Sequence, residues 1–268
     1  MKCQTNTLRL AGCIWRGEIM KVRVYEGDIK VQSFVLGNIH PHLTLPTTTV
    51  NSWLVHLPQG RLLIDAGPPW AGRPLARELI RRGLEPKWVA LTHAHIDHAG
   101  GICDLLKLIP SARFLAQEAD IPVLTSGEVL VPSFINPFTP IRPAIHWAFT
   151  RRTMPKCHPD GDLSELAELG IEVLQTPGHS LPHASLLLPD GSLMAGDALA
   201  VNPAGRPVVN AFYEDQDLML ESLQILARRG SGRVFAGHGV PCSIEQVRSL
   251  VENTIHSGPK KPLKRKTI

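Results

Sequence analysis

The sequence has no hydrophobic run long enough to cross a membrane, and its few cysteines are not arranged for a disulfide framework. No stretch approaches the roughly 20 uninterrupted apolar residues that a membrane-spanning helix needs. The 5 cysteines are scattered and form no C-x-x-C pair, which indicates a reducing compartment. Residues 10–13 match a lipoprotein cleavage box, but polar residues stand where a signal peptide needs its apolar segment. These absences predict a cytoplasmic protein that has no membrane partner.

The chain also lacks a charge imbalance outside its last residues. The formal net charge is +4, and the stretch PKKPLKRKTI (259–268) contributes five positive charges to it. Subtracting those five leaves the remaining chain near neutrality, at about −1. We therefore predict a solvated basic tail at 258–268, and we do not expect nucleic acid as a partner.

The composition fits a globular α/β protein with a sizeable core. Hydrophobic residues make up 43% of the 268 residues and charged residues 19%. We predict an N-terminal extension at 1–19 and a single domain over 20–257, because strands and helices recur in both halves without a linker. The residue patterns predict strands at 21–26, 29–36, 50–57, 61–67, 87–92, 171–175, 184–189, 192–196 and 233–237, and helices at 73–83, 102–109, 217–229 and 243–255.

The stretch LTHAHIDHAGG (91–101) gathers four side chains that can bind metal. His93 and His95 are two residues apart, so in an extended chain their imidazoles point the same way. Asp97 and His98 follow where the chain turns into a helix. Four ligands in one loop can hold one metal ion in part or two ions incompletely, because a catalytic zinc ion takes three protein ligands and a water.

Further donors stand downstream, each after a predicted strand and beside a glycine. The turn TPGHS contributes His179, AGDA contributes Asp197, and AGHGVP contributes His238. A single histidine or aspartate in a loop is usually only solvated. Three strand ends that all offer metal-type ligands, next to residues that allow close backbone approach, indicate one shared metal site.

These motifs resemble those of the metallo-β-lactamase-fold hydrolases. HAHIDH matches the family motif HxHxDH, and TPGH, the GD turn and the GHG turn follow in the same order over residues 50–250. The resemblance implies an αββα sandwich, in which helices flank two central sheets. It also implies two divalent metal ions, with zinc expected and iron or manganese as alternatives. The implied first-site ligands are His93, His95 and His179; those of the second site are Asp97, His98 and His238; Asp197 bridges the two.

A site of this kind performs hydrolysis without a side-chain nucleophile. Two divalent ions that share a water lower its pKa from about 15.7 to near 7, which supplies hydroxide at neutral pH. Asp97 is the predicted catalytic residue, because it can accept a hydrogen bond from the nucleophile and pass on its proton. Asp65, in the stretch RLLIDAG, is predicted to orient a ligating histidine. For His183 the same orienting role and a purely structural role remain open.

The ligand set favours some reactions of this fold over others. It resembles that of glyoxalase-II-type thioesterases and lactonases, which predicts hydrolysis of a carboxylic ester, lactone or thioester. Certain β-lactamases carry cysteine where this chain has Asp197, so β-lactam hydrolysis is expected at most as a weak side activity. Iron-dependent redox chemistry like that of persulfide dioxygenases, nuclease activity and non-catalytic binding are the alternatives.

Residues 125–160 form a proline-rich, aromatic stretch that cannot be one regular element. We predict that it is a lid over the site of a small-molecule substrate, with a contact between two copies in a homodimer as the alternative. Phe134, Phe138 and Trp147 are its candidate contacts for an apolar acyl group. Tyr213 is a candidate donor to the oxyanion, or else a packing residue.

Overall fold

The computed structural model describes residues 14–15, 18–19, 21–37, 49–128 and 156–256. The basic tail, most of the N-terminal extension and the candidate substrate contacts Phe134, Phe138 and Trp147 lie outside the described residues. Within them, no helix is long and apolar enough to cross a membrane.

The described elements alternate between strands and helices along the chain. The strands are β1 (Ile14–Trp15), β2 (Glu18–Ile19), β3 (Lys21–Tyr25), β4 (Lys30–Gly37), β5 (Thr49–Leu57), β6 (Gly60–Ile64), β7 (Trp88–Ala90), β8 (Arg113–Ala116), β9 (Gly161–Asp162), β10 (Glu172–Gln175), β11 (Ala184–Leu187), β12 (Leu193–Gly196), β13 (Ala200–Val201), β14 (Pro207–Val208), β15 (Arg233–Ala236) and β16 (Cys242–Ser243). The α-helices are α1 (Gly72–Arg81), α2 (Ile96–Ala99), α3 (Ile102–Leu108), α4 (Ile121–Ser126), α5 (Gln216–Arg229) and α6 (Ile244–His256), and the 3-10 helices are Glu118–Asp120 and Leu163–Leu169.

Two larger sheets form the centre of the fold. A seven-stranded sheet has the order β3-β4-β5-β6-β7-β8-β9, and a five-stranded sheet has the order β10-β11-β12-β15-β16. Strands β3 to β6 pair antiparallel, as the predicted hairpins require, whereas β6 to β9 pair parallel. Parallel pairing needs crossover connections, which α1 and α3 supply.

The two sheets pack face to face with helices on both outer sides. Alternate side chains of β5 point to opposite faces, so Leu54 packs with α1 and α3 while Trp53 and Val55 face the second sheet. The indole of Trp53 meets the ring of Phe235 edge to face, with 5.1 Å between centroids. Helices α5 and α6 cover the far face of the five-stranded sheet. The predicted αββα layering is confirmed.

Most of the observed helices and strands differ from the predicted ones by only a few residues at their ends. The predicted strand at 61–67 ends at Ile64, because Asp65 turns the chain with a left-handed φ of 61°. The predicted strand at 87–92 is shortened to Trp88–Ala90. Strand β8 and the 3-10 helix at Leu163–Leu169 have no counterpart in the prediction, since a four-residue strand and a short 3-10 helix give no readable periodicity.

Candidate metal centre

The seven predicted ligands lie after strands of both sheets. His93 comes shortly after β7, and Asp97 and His98 lie on helix α2. Asp197 directly follows β12, and His238 comes two residues after β15. Their donor atoms fall into groups in which all atoms lie within 4.8 Å of one another. The groups are His93 with His95 and His179, His93 with His98 and Asp197, and Asp97 with His98 and His238.

The carboxylate of Asp197 stands between these groups. Its Oδ2 lies 3.4 Å from Nε2 of His179 and 3.3 Å from Nε2 of His238. Its Oδ1 lies 3.5 Å from Nε2 of His98. Asp197 thus reaches the first group (His93, His95 and His179) and the second group (Asp97, His98 and His238), which is the position needed to bridge two ions.

Three imidazoles are oriented by an oxygen atom at Nδ1. The pairs are His98 Nδ1 with Asp65 Oδ2, His179 Nδ1 with the Phe212 carbonyl, and His238 Nδ1 with the Thr49 carbonyl, each at 2.7 Å. A carbonyl or carboxylate oxygen only accepts, so each Nδ1 carries the proton. Nε2 of each ring then faces Asp197, and it is the atom that can bind a metal ion once it carries no proton.

Asp65 orients the first group as well, through Thr92. The Thr92 hydroxyl donates to Asp65 Oδ2 over 3.0 Å, and its oxygen lies 2.9 Å from Nδ1 of His93. Because the one hydroxyl proton goes to Asp65, the Thr92 oxygen accepts a hydrogen bond from Nδ1 of His93. Nε2 of His93 is then the unprotonated nitrogen that can bind a metal ion. The Thr92 amide also donates to Asp65 Oδ1 over 2.9 Å. Asp65 therefore stands where its predicted orienting role requires.

His183 lies behind the centre and holds Asp197. Its Nε2 accepts from the Asp197 amide over 3.1 Å, and its Nδ1 lies 2.8 Å from the Thr176 hydroxyl. Burial and the neighbouring His179 lower the pKa of His183 to about 3, so the ring is neutral and can accept. This contact favours the orienting role for His183 over the structural one.

The donor set fits divalent metal ions. In the described part of the chain, Nε2 of His93, Nε2 of His98 and Oδ1 of Asp197 are buried and have no hydrogen-bond partner. His95 Nδ1 lies 2.8 Å from His179 Nε2, which directs two further nitrogens to one point. Unpartnered buried polar atoms are costly in a folded protein, and imidazole nitrogens with a carboxylate are ligands that zinc and iron accept.

The histidines of the two groups differ in their protonation at neutral pH. Burial and the neighbouring imidazoles hold the pKa of His93 and that of His95 well below the ordinary value of 6.5. Burial also disfavours the charged form of His98, but the carboxylates of Asp197, Asp65 and Asp97 outweigh it and raise the pKa to about 9. The first group is thus neutral at pH 7 without metal, whereas His98 is protonated.

Attraction between carboxylates and imidazoles also shifts the pKa values of His238, Asp97 and Asp197. Burial opposes charge on His238, but Asp197 and Asp97 outweigh it and raise the pKa of His238 well above 6.5. Burial likewise opposes ionisation of the two aspartates, and the histidines His98 and His238 outweigh it, so both carboxyl pKa values are lowered. Both aspartates are therefore ionised and can accept hydrogen bonds or bind a cation.

Three residues with no sequence signal also build the centre. Asn51 donates through Nδ2 to the Gly239 carbonyl over 2.9 Å, and Trp53 donates through Nε1 to the Ala236 carbonyl over 3.0 Å. These bonds fix the loop that carries His238. Asn210 donates to the Asp197 carbonyl over 3.1 Å. Their partners lie between 13 and 188 positions away in the sequence, so no local pattern could have identified them.

Gly237 leaves room for the centre. A Cβ atom at this position would lie 2.2 Å from Oδ1 of Asp197 and 2.7 Å from Cε1 of His98. Both neighbours are fixed by hydrogen bonds, so neither can yield. The glycine of the predicted AGHG turn is therefore required by close packing against two predicted ligands.

Tyr213 lies on the loop that leads to α5. Its hydroxyl donates to Gln216 Oε1 over 3.2 Å, a contact at the start of that helix. The carbonyl of the preceding Phe212 is the acceptor for His179. The loop thus supports a predicted ligand through its backbone, while the Tyr213 hydroxyl is engaged beside α5.

Comparison of the chain with known proteins gave concordant results. It is 31% identical over 177 residues to a hydroxyacylglutathione hydrolase of Nitrosomonas eutropha, covering 65% of this chain and 54% of that protein. It is 27% identical to the probable metallo-hydrolase YflN of Bacillus subtilis, covering 76% of this chain and 86% of that protein. The chain spans 54–60% of the length of the first two matching hydroxyacylglutathione hydrolases.

Solved structures show the same fold. The di-iron-bound form of TTHA1623 superimposes with a TM-score of 0.58 at 25% identity, covering 80% of this chain and 95% of that one. The BLEG-1 B3 metallo-beta-lactamase has a TM-score of 0.58 at 21% identity, covering 82% and 96%. The sequence model of the metallo-beta-lactamase superfamily matches residues 45–238, a range that contains all seven predicted ligands. The chain belongs to the metallo-beta-lactamase superfamily.

Proposed function

We propose that this protein is a metal-dependent hydrolase that holds two divalent ions and acts on a carboxylic ester, lactone or thioester. One observation carries the proposal: seven donor side chains from separate strand ends converge in groups that share Asp197. His93, His95 and His179 would hold one ion, and Asp97, His98 and His238 the other. Zinc is the expected metal, and the di-iron form of TTHA1623 supports iron as the alternative.

The choice among substrates rests on the relatives. Several are named hydroxyacylglutathione hydrolases, and an acylglutathione is a thioester. Asp197 supports the same choice, because a carboxylate stands where certain β-lactamases have cysteine. We therefore place thioesters first, oxygen esters and lactones next, and β-lactams last.

The protein groups supply binding, orientation and proton transfer. Two divalent ions in this centre would lower the pKa of a shared water and polarise the substrate carbonyl. Asp97, which is ionised and 15% exposed, can accept a hydrogen bond from the attacking water and take its proton. Asp65, Thr92 and His183 hold the surrounding side chains in place, so little reorganisation is needed during the reaction.

Two apolar side chains near His179 support an apolar acyl group in the substrate. Leu181 is 59% exposed and Phe212 is 41% exposed, and both lie on loops that adjoin His179. Large apolar side chains at the rim of a polar site bind hydrophobic parts of a ligand. Each buried methylene of an acyl chain contributes about 0.8 kcal/mol, so the rate should increase with chain length.

The proposed function is tested by metal content and substrate preference together. Protein loaded with zinc, iron or manganese is expected to contain about two ions per chain and to hydrolyse a thioester, lactone or aryl ester faster than a β-lactam. Cys103→Ala, assayed in reductant, is expected to keep its turnover, because no side-chain nucleophile is needed. A trapped covalent acyl-enzyme, or no turnover with any metal, would contradict the proposal.

Metal binding at the two groups is expected to differ in its pH dependence. His98 has a pKa of about 9 and that of His238 is also raised, so an ion must displace protons from both at neutral pH. Affinity there should rise as pH increases towards 9, by about tenfold per pH unit for each proton released. His93 and His95 are already deprotonated at neutral pH, so the first ion should show little change.

Competition with a chelating dye at several pH values measures both affinities. Calorimetry in buffers of different ionisation enthalpy counts the protons released with each ion. His238→Gln provides a matched variant, in which the second ion should release about one proton fewer because only His98 remains protonated, while the first ion is unchanged. Equal pH dependence for both ions would refute this prediction.

A further inference from the structure

Two cysteines that are distant in the sequence are neighbours in the fold. Cys103 lies on α3, and its thiol donates to the Lys156 carbonyl over 2.9 Å. That carbonyl belongs to the peptide bond that leads into Cys157. The Cys103 thiol is also close enough to the Cys157 thiol to raise its pKa. The sulfur of Cys103 therefore lies beside the backbone that leads into Cys157, with the Cys157 side chain nearby.

Both backbones around this pair are held in place. The Cys157 amide donates to the Leu124 carbonyl over 2.9 Å, and the Asp160 amide donates to the Phe114 carbonyl over 2.7 Å. Cys103 is fixed by helix α3, which packs against α1 and the seven-stranded sheet. Both thiols are partly exposed, so a small reagent can reach them. The remaining cysteine of the described residues, Cys242, is buried in a different core cluster.

We propose that Cys103 and Cys157 form a redox-active dithiol site that is oxidised reversibly to a disulfide by a low-molecular-weight disulfide such as glutathione disulfide. The thiolate of Cys103 attacks one sulfur of that reagent, and one thiol leaves. The thiolate of Cys157 then attacks the Cys103 sulfur in the mixed disulfide, and the second thiol leaves. Two protein thiols and one small disulfide become one protein disulfide and two small thiols, so electrons and protons balance.

The order of the two attacks follows from the surroundings of the thiols. Burial raises the pKa of the Cys157 thiol, and the adjacent Cys103 thiol adds to it, to about 12. A thiol with such a pKa is a poor first nucleophile at neutral pH. Once Cys103 is in a mixed disulfide, the neighbouring sulfur is within reach, and proximity compensates for the small thiolate fraction of Cys157.

The disulfide would join helix α3 to the segment that leads into β9. Helix α3 begins at Ile102, four residues after His98, and Cys157 lies on the segment that leads into β9. The crosslink would close a loop of some 50 residues, which lowers the entropy of the unfolded chain. Oxidation should therefore make the protein more resistant to heat. The inference needs no assumption about the substrate or metal.

The test is a redox titration of the full chain. Reduced protein is equilibrated with glutathione and glutathione disulfide in graded ratios, free thiols are alkylated, and the cysteines are mapped by mass spectrometry. We expect a linked peptide that joins Cys103 to Cys157, and the loss of those two alkylation sites. A phosphine reductant should restore both sites. The thermal midpoint of the oxidised form should rise by about 5–15 °C.

Single serine variants supply the controls. Cys242→Ser should oxidise like the wild type, because it keeps the pair. Cys103→Ser and Cys157→Ser should form no internal crosslink and show no rise in thermal midpoint. The proposal is overturned if both thiols stay free at the most oxidising ratio, or if either pairs with Cys3 or Cys13 instead. A crosslink that lowers the midpoint would also overturn it, because the native geometry would then oppose the bond.

Discussion

Replacement of Asp197 by alanine is expected to lower kcat/KM for every hydrolysed substrate by about a thousandfold or more, and to reduce metal content to about one ion per chain or less. Asp197 reaches His179 in one group and both His98 and His238 in the other. Without its carboxylate, neither ion has its full set of ligands. The charges of two close cations would also be less well compensated, so the second ion should be lost first.

A matched change separates this effect from a general loss of charge. Asp217 is exposed in the first turn of α5, and Asp217→Ala should leave kcat/KM and metal content near those of the wild type. Elemental analysis and steady-state kinetics on both variants give the comparison. Two ions per chain in Asp197→Ala, with turnover preserved, would rule out the proposed bridging role.

The second large effect is expected for Asp65→Asn, which should lower the free energy of unfolding of the metal-free protein by about 3 kcal/mol. Asp65 is 1% exposed, and its Oδ2 lies 2.7 Å from Nδ1 of His98. Removing the carboxylate takes away the one counterion that the buried imidazole of His98 hydrogen-bonds through Nδ1, and leaves only the longer contacts with Asp97 and Asp197. Asparagine tolerates the φ of 61° at this position, so the change tests the charge rather than the backbone.

The loss should depend on pH in a defined direction. The pKa of His98 is raised from 6.5 to about 9, so its contribution to stability is complete below pH 6.5 and is lost as pH rises through 9. The difference between wild type and Asp65→Asn should therefore shrink above pH 9. Affinity for the second metal ion should fall about 10- to 100-fold, because the His98 ring is no longer oriented.

Asp104→Asn is the control for this prediction. Asp104 makes partly exposed ion pairs with Arg73 on the neighbouring helix, at 3.1 Å, and with Lys107 on its own helix, at 2.8 Å. Such pairs contribute less than about 1 kcal/mol, so this variant should unfold close to the wild type. Chemical denaturation of both variants at several pH values provides the measurement. Equal and small losses in both would show that the buried pair is not important for stability.

Local patterns were sufficient to predict the convergence of the ligands. HAHIDH places four donors within six residues, so their proximity follows from chain geometry alone. His179, Asp197 and His238 could be predicted because each follows a strand and adjoins a glycine. The αββα fold followed from the resemblance of these motifs. Asp65 was identifiable because the stretch RLLIDAG matches a turn of the same family.

The remaining features depend on contacts between distant segments. Asn51 and Asn210 are polar residues of a kind that is usually solvated, and only the folded chain shows which carbonyls they bind. Thr92 accepts a hydrogen bond from His93 because its own proton goes to Asp65, which is 27 residues away. The spacing of Cys103 and Cys157 carries no motif, and only tertiary packing brings them together.

The hydrogen bonds between β5 and the loop after β15 also affect how the protein unfolds. Asn51 and Trp53 hold that loop, and His238 bonds back to Thr49, so the two sheets are linked beside the centre. Bound ions would add ligand bonds from His93 and His98 on one side to Asp197 and His238 on the other. Separation of the seven-stranded sheet from the five-stranded sheet would then require that the metal ions be released first. The rate of metal dissociation would then limit the rate at which the metal-loaded protein unfolds. Its resistance to proteolysis would therefore be set by that rate rather than by the free energy of unfolding.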